Sequence, residues 1–435
     1  MVSIKINQLN PFRHISEWLN ATVSNNRVQL SVLTQFFPPD YAATGQLIEE
    51  LVKKLGEQGM EVKVFSGQPG YAFETTIAPM YERFGKLEIR RSRTAQLWPQ
   101  RIRGKAVNGV IFAVRAFLHL LKNVRSRNLI LLTTAPPFLP LVGYFANRWF
   151  GMRYVCLIYD FYPDIAVELG VISYNHPLAR LWRYINRGVW RQAKAIIVLS
   201  SAMKQRVIDT CPEVADKIEV IHSWANPELI KPLAKQENKF AKEHNLVDKF
   251  TVLYSGNMGR CHDIDTIFEA AKLLKDDPIQ FVCIGSGAKR ELLIKDVKRL
   301  GLDNNFLFLP YQDKKDLRYS LTACDLSLVS VSAGLESLVA PSKLYSALAA
   351  GVPVAVICSK KAYLNQLIAN AKCGATFVNG DAKGLAEYIR SLAANQGLVS
   401  SVGQAGREYL LDNFTPEVIA RQYHQLLDKT LKNSQ

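Results

Sequence analysis

Arg260 and Lys343 stand beside two turns that could hold an anion. Arg260 closes a glycine turn, Gly256-Asn257-Met258-Gly259-Arg260, which follows the short apolar run Thr251 to Tyr254. After the turn, Ile264, Ile267, Phe268, Ala271 and Leu274 recur at helical spacing, with Asp265, Glu269, Lys272 and Lys275 opposite. Strand, turn and helix in that order offer unpaired N–H groups and the positive end of a helix dipole to an anionic group such as a diphosphate. The same stretch reads equally well as an ordinary tight turn of an α/β domain. Pro341-Ser342-Lys343 to Gly351 is a second helix start, with proline and serine ahead of it and a glycine stop behind. Two such starts in one half of the chain suggest one anionic ligand gripped from both sides.

Further candidates sit where apolar runs end. Tyr154 to Ile158 reads as a strand running into Tyr159-Asp160-Phe161-Tyr162-Pro163-Asp164. Ligands gather past the carboxyl ends of parallel strands. Asp160 therefore reads either as a group that orients a sugar hydroxyl or moves a proton, or as a helix cap; Asp164 reads first as a cap. Gly285-Ser286-Gly287, followed by Lys289 and Arg290, repeats the strand-then-glycine arrangement. Tyr311 and Gln312 follow the next strand, where a nucleotide base could stack; a plain connecting loop is the competing reading for each.

The elements that must position these residues alternate strand and helix twice over. Strands are expected at Val28–Thr34, Glu61–Ser66, Leu129–Leu132, Tyr154–Ile158, Ala195–Leu199 and Ile218–Ile221. The loop Gln35 to Thr44 leads through Thr44-Gly45 into a helix that buries Leu47, Ile48, Leu51, Val52 and Leu55. After a polar linker around His222 to Lys239, strands restart at Thr251, Gln280, Phe306, Leu326, Val354 and Ala375. The fold class is α/β, with two Rossmann-like doubly wound domains at 28–225 and 226–413. Residues 414–435 form a closing helix that could pack back on the first domain, and a leader, 1–27, has no assigned role.

The 435 residues suit two domains, and 48% apolar with 21% charged residues is ordinary for a globular chain. Seven cysteines without a C-x-x-C pair point to reduced thiols and a cytoplasmic setting. Met1 to Asn26 lacks the apolar core of a signal peptide. Leu129 to Phe150 is the most apolar segment, but Pro136, Pro137 and Pro140 divide it, and no transmembrane helix is expected. The net charge of +16 concentrates in the basic region 83–127, where Lys and Arg are opposed by Glu88 alone, with Glu82 just before it. Because Val110, Ile111, Phe112, Val114, Phe117, Leu118 and Leu121 share that region, an amphipathic helix on an anionic membrane surface is the favoured reading. A solvated basic face and a nucleic-acid-binding face are the alternatives; no nucleic-acid motif accompanies the charge.

With these residues placed, the chain from about Val28 to Phe414 resembles the family 4 retaining glycosyltransferases of GT-B architecture, and more closely the capsular and exopolysaccharide branch of the colanic acid type. Gln35-Phe36-Phe37-Pro38-Pro39 through Thr44-Gly45, Asp160 to Asp164, Tyr254 to Arg260, and Pro341 to Gly351 with Pro353 carry the likeness. The resemblance implies a nucleotide-diphosphate-sugar donor in the second domain and a lipid-linked or saccharide acceptor in the first. It also implies transfer with retention and neither cofactor nor essential metal. Gly256, Asn257, Gly259 and Arg260 would hold the diphosphate, faced by Ser342, Lys343 and Leu344; Gly285, Gly287, Tyr311 and Gln312 would complete the donor site. Thr44, Gly45 and Asp164 fall on the acceptor side, and Asp160 is the catalytic-site candidate. The family's pair of glutamates falls at Leu338 and Ser346, with Glu336 close but out of step. Its Arg and Lys fall at Asn257 and His262, so Arg260 and a protonated His262 are expected to supply the charge, while Tyr159 replaces a common histidine. Asp263-Ile264-Asp265 is similar to a metal-binding D-x-D, but both acids open a helix, where acids cap. A sugar-nucleotide epimerase on the same plan is the alternative enzyme, and a basic nucleic-acid or anion-binding protein the alternative non-enzyme.

Overall fold

The computed structural model describes residues 29–40, 42–69, 77–93, 102–122 and 128–432. The leader 1–27 and, within the basic region, Arg101, Arg125 and Arg127 lie outside the described residues, as do the side chains of Arg103 and Lys105.

Eight strands make the first sheet: β1 (Gln29–Leu33), β2 (Glu61–Gly67), β3 (Tyr81–Phe84), β4 (Leu87–Ser92), β5 (Leu129–Thr133), β6 (Arg153–Ile158), β7 (Ala195–Val198) and β8 (Ile218–Val220). Their order is β3-β4-β2-β1-β5-β6-β7-β8, and every pair is parallel except the β3–β4 hairpin. Six parallel strands make the second: β9 (Phe250–Ser255), β10 (Ile279–Ile284), β11 (Phe306–Leu309), β12 (Leu326–Ser330), β13 (Val354–Ile357) and β14 (Gly374–Phe377), in the order β11-β10-β9-β12-β13-β14. Central strands such as β5 and β10 are buried along their whole length, as expected of parallel strands covered by helices on both faces. Each order reverses once, between β1 and β5 and between β9 and β12. At these switch points the loops diverge and leave a crevice at the strands' carboxyl ends.

One buried apolar cluster runs through both halves, beside two confined to the second. The closing helix Pro416–Lys432 leaves the second domain and packs on the helix Ala43–Glu57 of the first, tied by Lys54–Glu417 at 3.1 Å and by Arg153 donating to the Leu431 carbonyl at 3.2 Å. Tyr423 of the closing helix is buried, edge-on to Trp224 of the linker. Glu50 anchors the linker from the first domain: its carboxylate accepts from Trp224 Nε1 at 2.7 Å and Asn226 Nδ2 at 2.8 Å. The cleft itself is bridged by backbone, where Phe161 N–H donates to the Leu338 carbonyl at 3.1 Å, and by the Lys314–Glu49 pair at 3.1 Å.

The basic region is not one surface. Its first part is the β3–β4 hairpin, and Arg91 is buried there, donating to the Pro79 and Pro38 carbonyls and paired with Glu82. Its second part is the helix Ile102–Leu121, which is apolar on two faces. Phe112, Ala116 and Leu120 enter the core, whereas Val107, Val110, Val114 and Leu118 are 39–53% exposed at spacings of one helical stripe. Among the described residues no helix is long and apolar enough to cross a membrane. All seven cysteines are unpaired.

Candidate functional site

A cavity of about 640 Å³ lies between the two domains where the switch points face each other. Arg260 and Lys343 both line it, and so do Asp160 from the first domain, Gly256, Asn257, Gly259, His262, Tyr311, Gln312 and Ser342 from the second.

The donor loop is built in two tiers. Gly256 (φ 125°) donates its N–H to the Ile284 carbonyl at 2.8 Å, Met258 to Ser286 at 2.7 Å, and Lys289 N–H returns to the Met258 carbonyl at 3.0 Å. Gly285 and Gly287 therefore do not form a second cradle. They are the floor of the first: a Cβ on Gly285 would lie 2.3 Å from the Gly256 carbonyl oxygen, and one on Gly287 2.5 Å from the Met258 backbone. Two amides of the turn are thus spent. Those of Asn257, Gly259 and Arg260 have no hydrogen-bond partner among the described residues, and all three residues line the cavity.

The following helix does not supply the anion seat that its spacing suggests. It starts at Asp265, and the buried Asp263 carboxylate caps it, accepting from Thr266 N–H at 2.9 Å and Thr266 Oγ1 at 2.7 Å. A carboxylate in that place satisfies the helix N-terminus and repels a phosphate. Asp265 diverges outward to Lys289 at 3.2 Å, so the two acids do not converge on a common point. The helix Lys343–Ala350 fits the expectation better, because the amides of Ser342 and Lys343 at its start have no hydrogen-bond partner among the described residues and both residues line the cavity.

Lys343 Nζ donates to the Tyr254 hydroxyl at 2.6 Å and lies 3.8 Å from the centre of that ring; Tyr254 in turn donates to the Asn257 carbonyl at 3.1 Å. No carboxylate pairs with Lys343 among the described residues, and burial pulls its ammonium down from 10.5 to about 7. Arg260 is exposed on the cavity wall and makes no ion pair or hydrogen bond among the described residues. Asp160 faces them from β6. It is accessible through the cavity but crowded by protein of both domains, which pushes its carboxyl from 3.8 up to about 6. Thr134 holds it in place: the Thr134 hydroxyl accepts from the amides of Tyr159 at 3.0 Å and Asp160 at 3.3 Å.

Other expected residues take other roles. His262 is not a cation: burial and the neighbouring Lys343 hold its imidazole down at about 3, and Nδ1 meets the Ser330 carbonyl at 2.8 Å. Leu344 is fully buried in the core. Glu336 turns away from the cavity, accepting from Ser359 N–H at 2.9 Å, while Ser346 does line it. Asp164 does not line the cavity and accepts from no backbone amide among the described residues. It is 2% exposed and bound by Arg183 at 3.2 Å and Arg206 at 2.9 Å. Thr44 and Gly45 already belong to the helix Ala43–Glu57, and Gly45 allows that helix to approach the Phe36 backbone; Ala43, Gln46, Leu47 and Glu50 form the cavity wall instead.

Two protein-family models match the chain, one on each side of this cleft: glycosyl transferase 4-like domain over residues 43–224 and glycosyl transferases group 1 over residues 235–409. The chain is a glycosyltransferase of the GT-B architecture. This glycosyltransferase is 24% identical over 391 residues to the Pseudomonas aeruginosa protein named as the glycosyltransferase WbjE, covering 84% of this chain and 95% of that one. It is 25% identical over 349 residues to WcaI of Escherichia coli, described as a colanic acid biosynthesis glycosyl transferase, covering 76% and 83%. Among solved structures, sucrose-phosphate synthase from Thermosynechococcus elongatus superposes with a TM-score of 0.73 at 18% identity, over 94% of this chain and all of that one. Anabaena HepE in complex with UDP-glucose gives 0.69 at 14%, over 93% and 100%. The glycosyltransferase thus places Arg260 and Lys343 in the domain matched by the group 1 model and Asp160 in the other.

Proposed function

We propose that this glycosyltransferase moves a sugar, with retention of anomeric configuration, from a nucleotide-diphosphate-sugar to a lipid-linked or saccharide acceptor of surface polysaccharide biosynthesis. The observation that carries this is the convergence of Arg260 and Lys343 on one cavity, each without a carboxylate partner, beside the open amides of Asn257, Gly259 and Arg260. A departing nucleoside diphosphate gains negative charge as the glycosidic bond breaks, and preorganised donors lower the barrier most where charge develops. In this reading the two side chains supply the positive charge, and no metal takes part. Asp160, across the cleft, orients a hydroxyl of the sugar or the acceptor. The likeness to WbjE and WcaI supports a polysaccharide setting. The two-faced helix Ile102–Leu121, with Phe145 and Trp149 exposed beside it, supports work as a peripheral protein at the cytoplasmic membrane face.

The test is incubation with labelled nucleotide-sugars and a lipid-diphosphate-linked saccharide, followed by determination of the product's anomeric configuration. Transfer with retention is expected. Inversion contradicts the stereochemical part, and consumption of the nucleotide-sugar without any acceptor marks the epimerase.

A further inference from the structure

His262 lines the cavity beside Arg260 and Cys261, between the donor loop and the end of β12. Its Nδ1 lies 2.8 Å from the Ser330 carbonyl oxygen. A carbonyl only accepts, so Nδ1 carries the ring proton. Lys343 and Lys289, the charged groups that bear on this ring, both oppose a second proton on it, and so does its burial. The other nitrogen, Nε2, has no partner among the described residues and is left as a lone pair on a ring that lines the cavity. A lone pair attracts a hydroxyl hydrogen and repels a phosphate oxygen.

We propose that His262 reads a sugar hydroxyl of the donor through Nε2, and does not help to bind the diphosphate. The inference rests on the nucleotide-sugar reading of this cavity. It divides the labour within the donor site: Arg260 and Lys343 hold the charge, and the imidazole accepts from a hydroxyl that only a correctly presented sugar offers. Ser330 acts through His262, since its carbonyl fixes the tautomer that frees Nε2. A site built to pair with a hydroxyl discriminates against sugars that lack it or present it differently, because the acceptor is then left unsatisfied.

Calorimetry with the full chain tests this, using UDP against UDP-glucose and GDP against GDP-mannose, on wild type, His262→Gln and His262→Lys. Gln can both donate to the Ser330 carbonyl and accept from a hydroxyl; Lys can only donate. For whichever nucleotide binds, His262→Gln is expected to keep the affinity gained from the sugar, whereas His262→Lys loses about tenfold of it and leaves the bare diphosphate bound at least as tightly. If His262→Lys instead weakens the bare nucleoside diphosphate by as much as the nucleotide-sugar, His262 serves the nucleotide and the proposal is overturned. An unchanged sugar increment in His262→Lys, or wild-type diphosphate binding that strengthens at low pH in a way removed by His262→Gln, overturns the proposal. Failure of the wild type to bind either diphosphate overturns the nucleotide-sugar reading itself.

Discussion

The ammonium of Lys343, at the first residue of a helix, donates at 2.6 Å to the hydroxyl of Tyr254, near the end of β9, and sits 3.8 Å from the centre of its ring. This contact aims the lysine at the donor loop before any ligand arrives, because Tyr254 also binds the loop's Asn257 carbonyl. Tyr254→Phe keeps the ring and removes the hydroxyl. Its kcat/KM should fall by about tenfold while the thermal midpoint stays within a few degrees. Tyr254→Ala, by contrast, empties a core position and should cost about 3–5 kcal/mol of stability in denaturant titration.

Lys343 also sets a pH dependence. Its ammonium is pulled down to about 7 in the free protein by burial. Below that pH the free protein already carries the charge that a diphosphate needs. Above it, binding must take up a proton, so Kd for a nucleoside diphosphate should rise by up to about tenfold per pH unit. Calorimetry at pH 8 in buffers of different ionisation enthalpy should show net proton uptake. A Kd that is flat from pH 6 to 9 contradicts the assignment.

Asp160 should titrate on the other side. Its carboxyl is raised to about 6 by crowding in the cleft, so the ionised form is lost as the pH falls below that value, and transfer should fall with it. Asp160→Asn should lower kcat by about a hundredfold or more with little change in donor KM, and should abolish the acid limb of the pH profile. Thr134→Ala, which removes the acceptor for two amides at this corner, should produce a smaller loss of the same kind.

Gly285 offers a steric test of the two-tier loop. A Cβ there would meet the Gly256 carbonyl oxygen at 2.3 Å, on a backbone with φ of 124°. Gly285→Ala should displace the donor loop and weaken nucleotide binding, although Gly285 itself does not line the cavity. Binding equal to wild type would contradict its role as the floor.

The exposed stripe of the helix Ile102–Leu121 makes a membrane prediction. Val110 and Val114 are 50% and 53% exposed, so charged replacements there leave the core untouched. Val110→Glu with Val114→Glu should abolish cosedimentation with phosphatidylglycerol vesicles while donor binding is preserved. Equal vesicle binding by this variant would remove the helix from the interface.

The two sheets and the donor loop were legible because parallel strands buried on both faces read as short apolar runs, and glycine turns mark their ends. The roles of single polar residues were not. His262 and Arg260 stand two positions apart in one loop, yet burial and the remote Lys343 keep the imidazole neutral, and the Ser330 carbonyl, 68 residues away, fixes its tautomer. Glu336 and Asp164 look like ligands in a linear reading, but Ser359, Arg183 and Arg206 consume them from remote segments. The parts played by Thr134 and by the Tyr254 hydroxyl are not legible in the sequence, because each acts through a second residue that it holds. The basic region was legible as charge and not as shape, since only the packing shows Arg91 turned inward.

The central claim is that Arg260 and Lys343 close on one diphosphate, and a double-mutant cycle in nucleoside-diphosphate affinity tests it most directly. Arg260→Ala and Lys343→Ala should each weaken Kd by about tenfold or more, and the double variant should lose less than the two effects summed, because both cations act on one charged group. If either single variant binds the diphosphate as tightly as the wild type, or if the two losses add fully, the cations do not share a ligand and the account fails.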